Sequence, residues 1–167
     1  MLTEGDTAPA FTLPGTSTEE DVLVKEYSLD DALANGPVVV NFYLFDFHPA
    51  CTEQLCSLDN LSWFDIDEDI TVFGVSTDRT FSHRRFAESE EIGFTLLSDS
   101  DGSVADAFDV LYDEFEQHRL IAKRSAFVVD TDRRIEYAWS TEEPAERPDW
   151  AEVSEIVRGL RADDSGR

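Results

Sequence analysis

Strands that alternate with helices and give way to a terminal hairpin and helix predict a single α/β domain with a mixed central sheet. Three observations carry that reading. Val38-Val39-Val40-Asn41-Phe42-Tyr43-Leu44-Phe45 is short, β-branched and aromatic and follows the turn pair Gly36-Pro37, as a buried strand requires. Further apolar runs, Ile70 to Ser76, Phe94 to Leu97 and Ser125 to Asp130, are separated by stretches with helical character. The chain has 167 residues, 41% of them hydrophobic, enough for one core without disulfide staples.

In chain order, Ala8 to Leu13 reads as a short extended piece ending in a turn at Pro14-Gly15, and Val22-Leu23-Val24 as a second short strand. Ser28 caps a small helix reaching Ala34. After the central strand comes a helix with Pro49 at its first position, where the missing N–H costs nothing, and with Leu55, Leu58, Leu61 and Phe64 on one face. It is expected to run out near Asp69. Beyond the strand at Ile70 to Ser76, Thr80 to Glu91 is a surface helix started by Asp78, with Phe81 and Phe86 as its apolar points and Arg79, Arg84 and Arg85 as solvated or paired groups. Ser100-Asp101-Gly102 turns from the Phe94 strand into a helix carrying Val104, Ala107 and Phe108, whereas Tyr112 to Leu120 has no assignable pattern. The strand at Ser125 to Asp130 turns at Thr131-Asp132-Arg133 and pairs back through Ile135 to Trp139. Asp149 caps the last helix, with Glu152 completing a box-like start and Val153, Ile156, Val157 and Leu160 inward. The domain is expected to span residues 1–161 and residues 162–167 to fray.

The charge is extreme, with 37 acidic against 13 basic side chains and a net −24. A field of that sign repels nucleic acid and anionic membranes, which excludes both as partners. The acids run through a chain rich in apolar residues, so they coat a folded surface, and a salt-rich cytoplasm would screen their mutual repulsion. A soluble, cytoplasmic protein is expected: the first residues lack a signal peptide's basic start and apolar core, and no apolar run reaches a membrane span.

Chemistry concentrates in Phe47-His48-Pro49-Ala50-Cys51-Thr52-Glu53-Gln54-Leu55-Cys56, which holds both cysteines and one of the three histidines. With His48 as cap, Cys51 falls in the first helical turn. Unpaired N–H groups and the helix dipole favour an anion there, and thiolate is the reactive form of cysteine. Cys56 stands five residues on. On an ideal helix that separates the Cα atoms by about 8 to 9 Å, while a disulfide needs them within about 7 Å, so the two bond only if the helix unwinds locally.

Three features together resemble the peroxiredoxins, thioredoxin-fold thiol peroxidases, and most closely their Q-type (bacterioferritin comigratory protein) and alkyl hydroperoxide reductase E groups. These are the opening Gly5-Asp6-Thr7-Ala8-Pro9-Ala10-Phe11-Thr12-Leu13, Cys51 at a helix start behind the central strand, and Arg124 before Ser125-Ala126-Phe127-Val128-Val129-Asp130. The resemblance implies a thioredoxin-like fold with an N-terminal extension, Cys51 as peroxidatic cysteine, Cys56 as resolving cysteine and Arg124 as active-site arginine. It implies a peroxide substrate, recycling by a thioredoxin-like reductant, a monomer or homodimer, and neither metal nor organic cofactor. The family pattern has proline, threonine and glutamate where this chain has Leu44, His48 and Gln54, and His48, with a donor and an acceptor, is the candidate for the threonine's role. Three other functions use the same residues: a thiol–disulfide oxidoreductase, a metal-binding redox protein with His48, Cys51 and Cys56 as ligands, and a non-enzymatic sensor or interaction module.

Overall fold

The computed structural model describes residues 1–59, 70–143 and 145–165. Its sheet has seven strands, β1 (Thr12–Thr16), β2 (Lys25–Ser28), β3 (Val38–Phe42), β4 (Thr71–Ser76), β5 (Thr95–Ser98), β6 (Arg124–Val129) and β7 (Ile135–Thr141), in the order β2-β1-β5-β4-β3-β6-β7. Strands β3, β4 and β5 are mutually parallel. The others pair antiparallel, so the sheet is mixed as expected. The helices among the described residues are α1 (Leu29–Leu33), α2 (Pro49–Asp59), α3 (Thr80–Glu90), α4 (Ser103–Ala107) and α5 (Trp150–Ser165).

Alternation along the central strands sets two core layers. Val38, Val40 and Phe42 of β3 and Phe127 and Val129 of β6 face a layer with Leu29 and Leu33 of α1 and Val104 of α4. Val39 and Tyr43, with Ala126 and Val128, face the layer filled by Leu55 and Leu58 of α2, Phe86 of α3 and Val153 and Val157 of α5. Both faces of β3 are covered and all its residues are buried, which is why it reads as a continuous apolar run. The same alternation puts Asn41 and Arg124 on the α2 side, two residues from Val39 and Ala126 respectively.

Several boundaries differ from the expectation. Pro14 and Gly15 lie within β1 instead of forming a turn. β1 pairs with β5 only from Gly15 onward, so no donor is needed from Pro14 on that side. A Cβ on Gly15 would come within 2.5 Å of Leu97 Cδ2 and 2.7 Å of the Leu96 carbonyl oxygen, so this close strand approach admits only glycine. Val22, Leu23 and Val24 are exposed, and the strand expected there is displaced to Lys25–Ser28, because register against Thr12–Gly15 decides the pairing, not local hydrophobicity. The central strand ends at Phe42, leaving residues 43–48 as a loop into α2. The expected end of that helix near Asp69, with Leu61 and Phe64, lies outside the described residues, as does Pro144. Helix α3 has Arg79 at its N-cap with no side-chain bond, and Asp78 instead serves the loop after β3. Phe86 is buried as expected, but Phe81 is exposed and His83 is wholly buried in its place on the inward face of α3. The caps at Ser28 and Asp149 form as expected: Ser28 Oγ accepts from Asp31 N–H, and Asp149 Oδ1 from Ala151 and Glu152 N–H. Helix α5 continues to Ser165.

Phe108 anchors the first layer, with ring centroids 4.9 Å from Phe127, 5.2 Å from Phe42 and 6.3 Å from Phe11. Phe108→Ala should destabilise the fold by about 3 to 5 kcal/mol, because the cavity would open among three aromatic rings that cannot collapse into it. Urea unfolding of the variant and parent in the same salt measures this, and a loss under about 1 kcal/mol would show that the layer relaxes freely.

Candidate active site

The chain leaves β3 at Phe42, crosses the loop of residues 43–48 and enters α2 at Pro49, so Cys51 is the third residue of the helix. The His48 carbonyl accepts from both Thr52 N–H (2.8 Å) and Thr52 Oγ1 (3.0 Å), which places His48 at the cap. Phe47, just before it, has φ 67°, a left-handed value costly for a bulky side chain, and makes the sharp turn into the helix.

Cys51 has no exposed surface. Burial pushes its thiol pKa up from the ordinary value; the backbone of Leu44 and Phe45 and the positive charge of Arg124 act in the opposite sense. The helix start is therefore not by itself an acidifying environment. The thiolate depends on specific donors and one cation to offset desolvation.

Arg124, the first residue of β6, is only 1% exposed and is the largest fully buried side chain of the described residues. Its Nε donates to Gln54 Oε1 on α2, and Gln54 Nε2 donates to Asn41 Oδ1 on β3 at 2.7 Å. Both amide side chains are fully buried. This chain ties β6, α2 and β3 together and orients the guanidinium, while Arg124 Nη2 is buried with no hydrogen-bond partner. Burial is also the main cause lowering the pKa of Arg124, opposed by the neighbouring Cys51. Gln54 is neutral, so the side chain that accepts from Nε brings no charge to the cation; Cys51 and Glu53 act to keep Arg124 protonated, and Arg147 acts against them.

Cys56 is half-buried further along α2, its Sγ 4.0 Å from the Glu90 carbonyl oxygen at the end of α3. Unbroken helix separates it from Cys51, and both are in the thiol state. The side chain of His48 is partly buried, with Nδ1 enclosed and lacking a hydrogen-bond partner. Among the described residues the one convergent group of three metal-type ligands is Asp46, Asp78 and His83, so His48, Cys51 and Cys56 do not meet at a common point.

The structure adds residues that sequence reasoning missed. Asn41 looked like a stray polar residue within a strand. Tyr112 belongs to the segment that had no pattern, which is pinned by isolated bridges between Leu111 and Ala122 and between Phe115 and His118. That segment packs on the loop before Cys51, where the Phe45 ring lies 5.2 Å from His118 and 6.4 Å from Phe115. Burial, then Glu142, Glu143 and Cys51, raise the Tyr112 pKa. Glu53 of α2 pairs with Arg147 of the segment after β7. His83 could have been found from spacing, since it stands three residues before Phe86 and four before Ala87 on the buried side of α3.

Comparison with known proteins places this arrangement. The AhpC/TSA family profile matches residues 4–138. Peroxiredoxin Bcp of Escherichia coli is 35% identical over 141 residues, covering 83% of this chain and 85% of that one. The crystal structure of peroxidoxin BcpB from Mycobacterium tuberculosis superposes with a TM-score of 0.77 at 30% identity, covering 97% of this chain and 98% of the other. AhpC of the same organism shares the fold, with a TM-score of 0.80 at 24% identity over 98% of this chain and 95% of its own. Family profile, sequence relatives and fold therefore agree that the chain belongs to the AhpC/TSA family and is an oxidoreductase of the peroxiredoxin, thiol peroxidase type.

Proposed function

We propose that Cys51 is the peroxidatic residue, Arg124 its electrostatic partner, and Cys56 the thiol that resolves the oxidised sulfur. The observation that carries this reading is a buried guanidinium next to a buried thiol, held by Gln54 with Nη2 left unbonded. An orphaned donor of this kind is costly unless a ligand or a reacting oxygen takes it. The Cys51 thiolate attacks one oxygen of the peroxide and the O–O bond breaks. Sulfur becomes sulfenic acid, and the other oxygen leaves as hydroxide or alkoxide and takes up a proton. Arg124 stabilises the negative charge as it passes from sulfur to the leaving oxygen, and its fixed fork of donors suits a two-atom substrate. His48, with its buried unbonded Nδ1, supplies a further polar contact where the family pattern has threonine.

The Cys56 thiol then attacks the Cys51 sulfenic acid, releasing water and forming a disulfide. The intact α2 helix between them must first unwind at its start, which the left-handed Phe47 junction makes a natural place to open. A dithiol of the thioredoxin type would return both thiols by exchange. Hydrogen peroxide and alkyl hydroperoxides are the proposed substrates, and the acidic surface suits a cytoplasm of high salt.

Reduced protein in concentrated salt should be oxidised rapidly by hydrogen peroxide, followed by tryptophan fluorescence and mass spectrometry. Cys51→Ser should abolish the reaction. Cys56→Ser should leave the first step and stop at sulfenic acid, and reaction of the parent no faster than an unactivated thiol would refute the assignment. Arg124→Gln should slow oxidation by about a hundredfold or more, the cost of one lost donor to a developing oxyanion.

The rate should also depend on pH in a set direction. Since burial holds the Cys51 thiol above its ordinary pKa, the reactive thiolate is scarce at low pH and the rate rises as pH increases through that value. Arg124→Gln removes a cation that lowers this pKa, so its profile should lie at still higher pH. Stopped-flow rates across pH check both, and a profile that is flat, or shifted to lower pH in the variant, would contradict the account.

A further inference from the structure

Behind the loop of residues 43–48 lies a buried polar cluster that the thiol chemistry does not use. The Asp46 carboxylate accepts from Tyr43 OH at 2.7 Å and Ser82 Oγ at 2.7 Å, and both its oxygens lie 2.9 Å from His83 Nδ1. His83 Nε2 is 2.9 Å from the Leu97 carbonyl oxygen, which can only accept, so that nitrogen carries a proton. Tyr43 OH already donates to Asp46, so a second proton lies between Nδ1 and the carboxylate. The His83 and Asp46 side chains are 0% and 1% exposed. Asp46 N–H in turn donates to Asp78 Oδ2 at 2.8 Å, and Asp78 is fixed by Ser76 Oγ at 2.7 Å. Asp46, Asp78 and His83 could gather about a cation, yet their ligand atoms are already engaged with one another and with neighbouring groups, which makes the cluster a fastening.

What it fastens is chemically specific. Tyr43 and Asp46 bracket Leu44 and Phe45; Leu44 lies in the same buried cluster as Cys51, Phe45 packs against that cluster, and the backbone of both acts to lower the Cys51 thiol pKa. Tyr43 N–H also donates to the Val75 carbonyl at 3.0 Å, so the loop is anchored to β4, α3 and β5 at its two shoulders. We propose that Asp46 and His83 are positioning residues that hold the Leu44 and Phe45 amides against the Cys51 sulfur. Resting on the reading of Cys51 as the reactive thiol, this inference gives the buried pair a role in the reaction through the loop alone, with no contact to substrate. Around Cys51 the titratable groups are Arg124 from β6, Asp78 after β4 and Tyr112 from the segment after α4. None of these is altered in the test.

The experiment uses the Cys56→Ser protein, in which Cys51 is the only thiol, and records ultraviolet thiolate absorbance, with a Cys51→Ser, Cys56→Ser blank subtracted, and the rate of oxidation by hydrogen peroxide across pH. Asp46→Asn and His83→Gln should each raise the Cys51 pKa by about one unit and cut the neutral-pH oxidation rate about tenfold. The rate should recover once the thiol is fully ionised. The double variant should lose no more than the worse single, because both act through one fastening. Tyr43→Phe, which deletes one hydroxyl, should give a smaller shift in the same direction and serves if either larger change prevents folding. Arg84→Gln on the same helix, whose side chain meets Glu88 and the Ser17 carbonyl, should change nothing.

An unmoved or lowered Cys51 titration in the folded variants, or a rate loss persisting at high pH, would overturn the proposal. A parent inert to peroxide, with the titration shifts still present, would refute the peroxidase assignment and leave the positioning role standing.

Discussion

Burying one guanidinium constrains the rest of this molecule. Taking an arginine out of water costs on the order of several kcal/mol even after relaxation, and the residue persists only where other groups meet its donors. Arg124 is met by Gln54, and Gln54 by Asn41, so a helix and two strands share one line of buried polar side chains. The position of each follows from alternation: Asn41 and Arg124 lie on the face of β3 and β6 that α2 covers. Gln54 is on α2 three residues after Cys51, so it comes one helical turn later on the same side of the helix. Arg124 and Cys51 are therefore fixed relative to each other by the sheet.

Other groups acting on Cys51 come from the opposite direction. A thiolate at zero exposure needs donors as well as a counter-charge, and the backbone groups that lower the Cys51 pKa belong to the loop before α2. A loop of six residues between buried elements has no regular ladder to hold its amides in place. Here side chains do that work, with Asp46 acting toward α3 much as a cap residue acts toward its own helix. One buried polar line fixes the cation and another fixes the amides, and Cys51 lies where the two meet.

The fold was legible in the sequence where the physics is local. Buried central strands announce themselves by β-branched runs, and helix starts by Ser28, Pro49 and Asp149. The errors fall where pairing decides: Val22 to Val24 had the composition of a strand, but Lys25–Ser28 had the register. The site was legible in part for a similar reason. Cys51 and Arg124 stand in telling places, each directly beside a strong strand signal. Asn41 and His83 are polar residues whose meaning depends on what lies opposite them, and contact between residues 46 and 83 across the fold leaves no trace in either segment alone. His83 did carry a faint signal, for a polar residue at helical spacing from Phe86 and Ala87 must find a buried partner.

The departures from the family pattern take on a different sense in this setting. Proline has no N–H, whereas Leu44 has one and its backbone acts to lower the Cys51 thiol pKa, so the change adds a donor where burial disfavours the thiolate. Glutamate at this position would set a carboxylate against the guanidinium; Gln54 accepts the Nε hydrogen bond without bringing a charge. Both substitutions favour the anionic form of Cys51, against the desolvation that its complete burial imposes. A site enclosed this deeply needs more stabilisation of its thiolate than an open one. Residues that look like losses when compared with a motif are, in the folded chain, a backbone donor and an uncharged partner for the arginine.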